Sequence, residues 1–402
     1  MTAAGVARFD VGVIGAGPAG LCAAVLTALG GAKVALVGPA DANAADTRTS
    51  ALFAASMGVL AQTGVWPGLE PAAARLAAIR IVDRLSRRDH PSTVMFEAAE
   101  IGAAAFGHNI ANADLVRALE ARFAVLPGSL RVAHKVSAIE HRPHEVRLDC
   151  ADGARLGVRL VVAADGRDSP ARAAAGIAAT GWDYGQAAIA ARVAHEHAHD
   201  NISTEVHRPG GPLTAVPLPG RHCAIVWLER SEAAGALAHL DDSGLARRIG
   251  AELGPFLGGV EMAGPRGLFP VRGLSAATLA HRRTVLIGEA GHVLPPIAAQ
   301  GLNLAVRDAA WLADIVGRVL SDNGDPGAEP VLARYRKARR GDTMSRRAAC
   351  DLLNRSLLFD GAALRGLRGV GLAGLVGVGA LRRRLMRAGM GGDHSVPAGP
   401  VR

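Results

Sequence analysis

The chain has 402 residues, enough for two or three domains around a large core. Its formal net charge of +9 sits at one end: from Val331 onward there are 15 Lys and Arg against four acidic residues, and the rest is nearly neutral with 30 basic and 32 acidic groups. That tail carries no aromatic-rich basic stripe or nucleic-acid motif, which argues against nucleic acid as a partner, and the four scattered cysteines (Cys22, Cys150, Cys223, Cys350) form no C-x-x-C pair that would indicate zinc or a disulfide framework.

In chain order, Met1 to Phe9 is too short and polar for a signal peptide, and the cysteines read as reduced thiols, so the reading is cytoplasmic. The apolar run Val11 to Ile14 suits a strand buried on both faces, and Gly15-Ala16-Gly17-Pro18-Ala19-Gly20 follows it directly with the G-x-G-x-x-G spacing. Gly15 permits the tight turn, Gly17 lets a pyrophosphate reach the backbone, and Gly20 lets a helix starting near Pro18 pack closely on the strand. That helix points unpaired N–H groups and a positive dipole end at phosphate. A second strand over Lys33 to Val37 closes a βαβ unit, the context in which the motif binds a dinucleotide. The acidic residue that commonly ends such a strand to hold the ribose is replaced by Gly38, which leaves Asp41 or Asp46 to reach in.

Pro39 to Asp46 reads as a loop leading to Thr47-Arg48-Thr49-Ser50-Ala51-Leu52, with a helix to Leu60. An arginine just behind the nucleotide unit can pair with pyrophosphate through two N–H groups, or stand as a solvated surface residue. Ala78 to Phe96 reads as one or two strands with a polar turn between, and Phe106 to Asn112 leads into a helix over Ala113 to Phe123. Strands follow near Val132 to Ile139 and Val146 to Leu148, and the hydrophobic strand Leu160 to Ala164 stops at Asp165-Gly166, where ligands of parallel sheets bind. From Gly181 to Glu229 the pattern becomes alternating and turn-separated, as in an antiparallel sheet. Ser231 to Leu257 reads as helical. Thr284 to Gly288 is then a second buried strand, ending at Glu289, and a proline-rich turn leads to Gly301, which opens a helix to Leu320. Its N-terminus can stabilise an anion. His292 has no partner at metal spacing and reads as a hydrogen-bonded structural histidine. Val331 to Met390 is helical and basic. Its most apolar run, Gly369 to Ala380, is too short to span a bilayer and suits a helix lying on an anionic membrane surface or against a partner.

Three separated motifs, Gly15-Ala-Gly-Pro-Ala-Gly20, Asp165-Gly166 and Gly288-Glu-Ala-Gly-His with Pro295-Pro and Gln300-Gly-Leu-Asn303, resemble the fingerprints of FAD-dependent aromatic hydroxylases, in matching order and separation. Within that class the chain is most similar to the ubiquinone-biosynthesis hydroxylases, through Asp46-Thr-Arg48-Thr-Ser-Ala-Leu52, Gly64-Val-Trp66, Gly211-Pro-Leu, Val226-Trp227 and the basic C-terminal segment. The resemblance implies an α/β fold: a Rossmann-like, glutathione-reductase-type FAD-binding domain (1–80, 97–180, 273–330), an inserted antiparallel β-sheet substrate domain (81–96, 181–272) and a basic C-terminal helical segment (331–402). Carried over by motif, Gly15, Ala16, Gly17, Pro18, Ala19 and Gly20 cradle the FAD pyrophosphate, and Arg48 lies near the flavin and phosphates. Asn112 lies near the phosphate and ribityl side, and Asp165 and Gly166 contact FAD and shape the NAD(P)H approach. Glu289 stands where the family usually has an Asp on the ribityl chain, Ala299 stands where a Gly is usual, and Pro295, Gly301, Leu302 and Asn303 border the isoalloxazine.

The implied chemistry is monooxygenation by FAD, NAD(P)H and O₂ through a C4a-hydroperoxide, on the ring of a polyprenylated phenol, in an enzyme that is cytoplasmic or peripheral on the inner membrane. No catalytic base is assigned. A hydroxylase of a small soluble aromatic, or a non-catalytic FAD-fold subunit of a quinone-biosynthesis assembly, stays open as an alternative at this point.

Overall fold

A computed structural model describes residues 6–39, 46–85, 92–358, 379–391 and 396–397. The first layer is an eight-stranded sheet whose centre is parallel: 284–286, 155–163, 7–14, 34–37 and 129–132 lie side by side in that order. A parallel strand is covered on both faces, which explains the continuous runs: Val11 and Val13 are fully buried and all four residues of Val34–Val37 are buried. A hairpin, Val136–His141 and Val146–Cys150, extends this sheet antiparallel.

The first helix, Pro18–Leu29, is apolar on nearly every side and buried from Gly20 to Ala28. Such a helix must be enclosed, and it lies between the sheet and two others, Asn112–Ala124 and Gln300–Ser321.

The second large sheet has nine strands and is mostly antiparallel. Its core is the 17-residue strand Ala179–His195, which pairs with 222–230 on one side and 267–276 on the other. The register of the second pairing shifts between Asp183 and Gln186, where Gly185 takes φ +67°. Strands 78–83 and 92–97 join the far side of this sheet, and His292–Val293 joins its near side, so the chain crosses between the two sheets several times.

Three local details go beyond the expectations. Thr47 to Leu52 and Phe106 to Asn112, to which the sequence pattern assigned no element, carry strands: Thr49–Phe53, Gly107–Ala111 and Ala74–Leu76 form a small third sheet. These strands are too short to show alternation, and a Cβ at Gly107 would lie 1.9 Å from the Leu52 carbonyl oxygen, a closeness set by tertiary pairing. Ser231 to Leu257 is two helices, Ser231–Ala238 and Asp242–Leu257, because the Asp241 carboxylate accepts the Gly244 N–H at 2.8 Å and starts the second one. At the C-terminus, Glu329–Leu358 is one 30-residue helix and Gly379–Gly389 is another. Most of the apolar run Gly369 to Ala380 lies outside the described residues.

Candidate active site

The glycines of the first turn divide by what surrounds them. Gly15 has φ +110° and a Cβ there would lie 2.2 Å from the Ala164 carbonyl oxygen; a Cβ at Gly20 would lie 1.9 Å from the Gly15 oxygen. The fold itself demands both. Around Gly17 nothing lies within 4 Å, so its bare backbone faces open space. Gly17 also starts the first helix with no side-chain cap, and Pro18 follows. A ligand can therefore approach the uncapped helix end, and the cradle fits a pyrophosphate. At the end of the second strand, a Cβ on Gly38 would lie 3.1 Å from Ala16 N, so a side chain there would press on the turn. Asp46 does not replace the missing acid, since its carboxylate is taken up by Arg48 and Asn112, and Asp41 lies outside the described residues.

The second and third turns lie beside the first because their strands end abreast: Ile14 pairs with Ala163, and Ala163 with Leu286. Asp165 spends its carboxylate locally, accepting the Ser169 hydroxyl and the Ala171 N–H at 3.0 Å, so that it shapes the start of helix Pro170–Ala174. Burial pushes its pKa up, and the Ser169 bond only partly offsets that. Gly166, at φ +85° with open space around it, is the part of this motif left free for a ligand. In the third turn Gly288 takes φ +56°, and a Cβ there would sit 3.2 Å from Ala305 Cβ and 3.5 Å from Ala19 Cβ. That wedges it between the first helix and the long helix Gln300–Ser321.

Glu289 projects from this turn, half exposed, with Arg167 at 3.8 Å. Arg48 also feels its charge, although the larger influence raising the Arg48 pKa is Asp46. Arg48 Nε and Nη2 donate to the two Asp46 oxygens at 2.8 and 3.0 Å, and its guanidinium lies 5.2 Å from the Phe269 ring centre. Asn112 donates to the same carboxylate at 3.2 Å and accepts the Ser50 hydroxyl at 2.7 Å. Arg48 and Asn112 are thus brought together through Asp46.

Pro295 is buried, whereas Gly301 is exposed with nothing within 4 Å of a Cβ. Before it, Ala298 and Ala299 take φ of 55° and 51°, a strained pair for residues with a Cβ. Leu302 is half-buried at the same helix end. Asn303 is fully buried and its side chain is consumed: it accepts the Phe53 N–H at 2.9 Å and donates to the Ala51 and Ala299 carbonyls, each at 2.7 Å. It fixes the helix end to strand Thr49–Phe53 and leaves no side-chain group over for a ligand.

A family model described as FAD binding domain matches residues 8–345. The ubiquinone hydroxylase UbiL of Rhodospirillum rubrum is 32% identical over 388 residues, covering 95% of this chain and 89% of that protein. The chain is a member of the FAD-dependent ubiquinone-hydroxylase family. The 3-demethoxyubiquinol 3-hydroxylase of Escherichia coli is 27% identical, with 95% and 98% of the two chains covered. In fold, the p-nitrophenol 4-monooxygenase PnpA of Pseudomonas putida superposes with a TM-score of 0.79 at 17% identity, over 96% of this chain and 100% of that one.

In this flavoprotein monooxygenase the sequence did not reveal what holds the third turn in place. Asp308 accepts the Gly288 N–H at 3.3 Å and bonds His292 Nε2 at 2.7 Å, so His292 has the structural role expected of it. Asp308 also accepts Arg339 Nε at 2.7 Å; Arg339 reaches Asp342 at 2.9 Å, and Asp342 accepts Arg307 at 2.8 Å. All four are nearly inaccessible to water. Burial pushes the Asp308 carboxyl up, but Arg339 and His292 outweigh it and hold it below its ordinary value. At Asp342 burial opposes the shift too, yet Arg307 and Arg339 bring it down to about 2. Only the Arg339/Asp342 spacing is local, at three residues; His292 and Asp308 are 16 residues apart, Asp308 and Arg339 31, and Arg307 and Asp342 35, all invisible to pattern reading.

Proposed function

We propose that this chain hydroxylates the aromatic ring of a polyprenylated phenol on the route to ubiquinone, with NAD(P)H and O₂ as co-substrates. The observation that carries the reading is the meeting of three glycine turns at one sheet edge, two of them feeding helix ends with open space in front. Bound FAD supplies electron transfer and oxygen activation there. Gly17 and the first helix end would receive the pyrophosphate, with Ala16, Pro18 and Ala19 forming the rest of the turn. Arg48 and Asn112 would flank the phosphate and ribityl side, Gly166 would adjoin the cofactor, and Glu289 would face the ribityl chain. Pro295, Gly301 and Leu302 would border the ring system, and the N-terminus of Gln300–Ser321 would stabilise negative charge developing on it. The Asn303 pin keeps that helix end from shifting, so the stabilising dipole is in place before reaction.

We also infer that the enzyme works on an anionic membrane surface. Among the described residues no helix is long and apolar enough to cross a bilayer. Helix Gly379–Gly389 nevertheless exposes Leu381 and Leu385, one turn apart, among Arg383, Arg384 and Arg387. That combination fits shallow insertion beside acidic headgroups. Binding to phosphatidylglycerol-containing vesicles at low salt, with release at high salt, supports this placement, and failure to bind removes it. For the reaction, deletion of the gene followed by mass spectrometry should show a hydroxylation-deficient quinone precursor accumulating; unchanged quinone levels would refute the substrate assignment.

A further inference from the structure

The underside of helix Gly379–Gly389 meets the body through a single buried residue, Met386. Met386 sits in a cradle of Phe53, Leu76, Ala98 and Phe106, with Val216 and Ala299 at its margin. Among the described residues the other contacts of the helix are mainly polar, with Met390 just past its end packing on the same cluster. Arg382 pairs with Glu100 and lies 4.7 Å from the Phe96 ring centre; Arg346 donates to the Ala388 oxygen at 2.6 Å, and Gln300 to the Gly389 oxygen at 3.3 Å.

The cradle adjoins the active site on two counts. Ala299 immediately precedes the long helix that ends in open space at Gly301, and Phe53 is the residue whose N–H is held by Asn303. The side chains gathered around Met386 are hydrocarbon, which suits an isoprenoid chain better than a phenol hydroxyl. Methionine is a flexible, adaptable occupant, easily replaced by another apolar group. On the outer side of the same helix, Leu381 and Leu385 are exposed.

We propose that this cradle is the binding site for the isoprenoid tail of the substrate, with Met386 as the group that fills it until the tail arrives. This rests on the polyprenylated phenol being the substrate. The tail enters as the helix loosens from its polar latches, and the phenol ring is left on the Pro295–Gly301 side. Release of Gln300 from the Gly389 carbonyl couples tail entry to the loop that borders the cofactor, because Gln300 also donates to the Ala298 oxygen at 3.0 Å.

The test measures binding, independent of turnover, through the perturbation of the flavin absorbance of the FAD-loaded enzyme. The probes are a long-chain polyprenylphenol and the same phenol bearing one prenyl unit. Met386→Trp overfills the cradle and should raise the ratio of long-chain to short-chain Kd by about tenfold. Arg382→Glu removes the latch to Glu100 and should move the ratio the other way, which keeps the test decisive if the tryptophan variant does not fold. A ratio unchanged in whichever variant folds, or equal weakening of both probes, overturns the tail site while leaving the substrate assignment intact. If neither phenol perturbs the flavin of the unsubstituted enzyme, it is the substrate assignment that fails, and the tail site falls with it.

Discussion

The two helix ends that face the proposed cofactor crevice are built on opposite principles. The first, at Gly17, is made by the absence of side chains: glycine at three positions, no cap, and no charged group within its turn. The other, at Gly301, is made by side chains: Asn303 pins it to a neighbouring strand, and a buried run of charges from His292 through Asp308 and Arg339 to Asp342 and Arg307 holds the turn beside it. The pyrophosphate is compact and carries its own charge, so bare backbone suffices for it. Under the proposed placement, a ring whose charge changes during turnover would lie against the pinned end, a surface that stays fixed. An added atom is therefore the damaging change at one end, and a lost partner at the other.

The largest expected effect on FAD affinity follows from the open end. Gly17→Val places a side chain into space that no protein atom occupies, so the fold should stand while FAD affinity drops by about a hundredfold or more, as seen in fluorescence titration of the apoprotein with unchanged far-ultraviolet circular dichroism. Gly15→Ala tests the contrast. There the Cβ meets the Ala164 carbonyl at 2.2 Å, and both FAD affinity and melting temperature should fall. Equal loss of stability in both variants would erase the distinction between a glycine needed by the ligand and one needed by the chain.

The pinned end predicts a loss of stability first. Asp308→Asn leaves two buried arginines, Arg339 and Arg307, sharing the single Asp342 carboxylate, at a cost of about 3–5 kcal/mol measured by chemical denaturation. The same network sets an acid limit. Asp342 has its folded-state pKa depressed to about 2 from an ordinary 3.8, so it contributes stability at all pH values above 3.8 and loses that contribution as pH falls toward 2. Asp342→Asn should flatten the stability profile in that window. An unaltered slope there would show that the acid limit comes from other carboxylates.

This contrast also explains what was legible in the sequence. A site made of glycines between buried strands leaves a local signature, and Gly15 to Gly20, Asp165-Gly166 and the Gly288 turn could all be located by it. Helix Pro18–Leu29 and helix Gln300–Ser321 were likewise evident from their apolar patterns, to within a residue or so. A site made of side-chain partners leaves none, because Arg307 with Asp342 and Asp308 with Arg339 meet only once two helices have packed. The small sheet of Thr49–Phe53, Ala74–Leu76 and Gly107–Ala111 was missed for the same reason, since its strands are defined by each other and not by their own periodicity. The commitments of Asp165 to Ser169 and of Asn303 to strand backbone show a further limit: a motif locates a residue, but only geometry shows whether its side chain is free.

Glu289 belongs to neither construction and should give the smallest effect. It is half exposed, and its contact with Arg167 is 3.8 Å long, which places the pair among solvent-screened ion pairs worth about 0.2–1 kcal/mol. Glu289→Asp draws the carboxylate back by one methylene and weakens that pair. FAD affinity should then fall by no more than about fivefold at low salt, a difference that shrinks as salt screens the pair, with the melting temperature unchanged. A loss of about tenfold or more that persists at high salt would instead mean that Glu289 makes a direct, desolvated bond to the cofactor. The third turn would then hold FAD by a side chain as well as by its glycine, and the division between the two helix ends would have to be redrawn to place the ribityl contact on the pinned side.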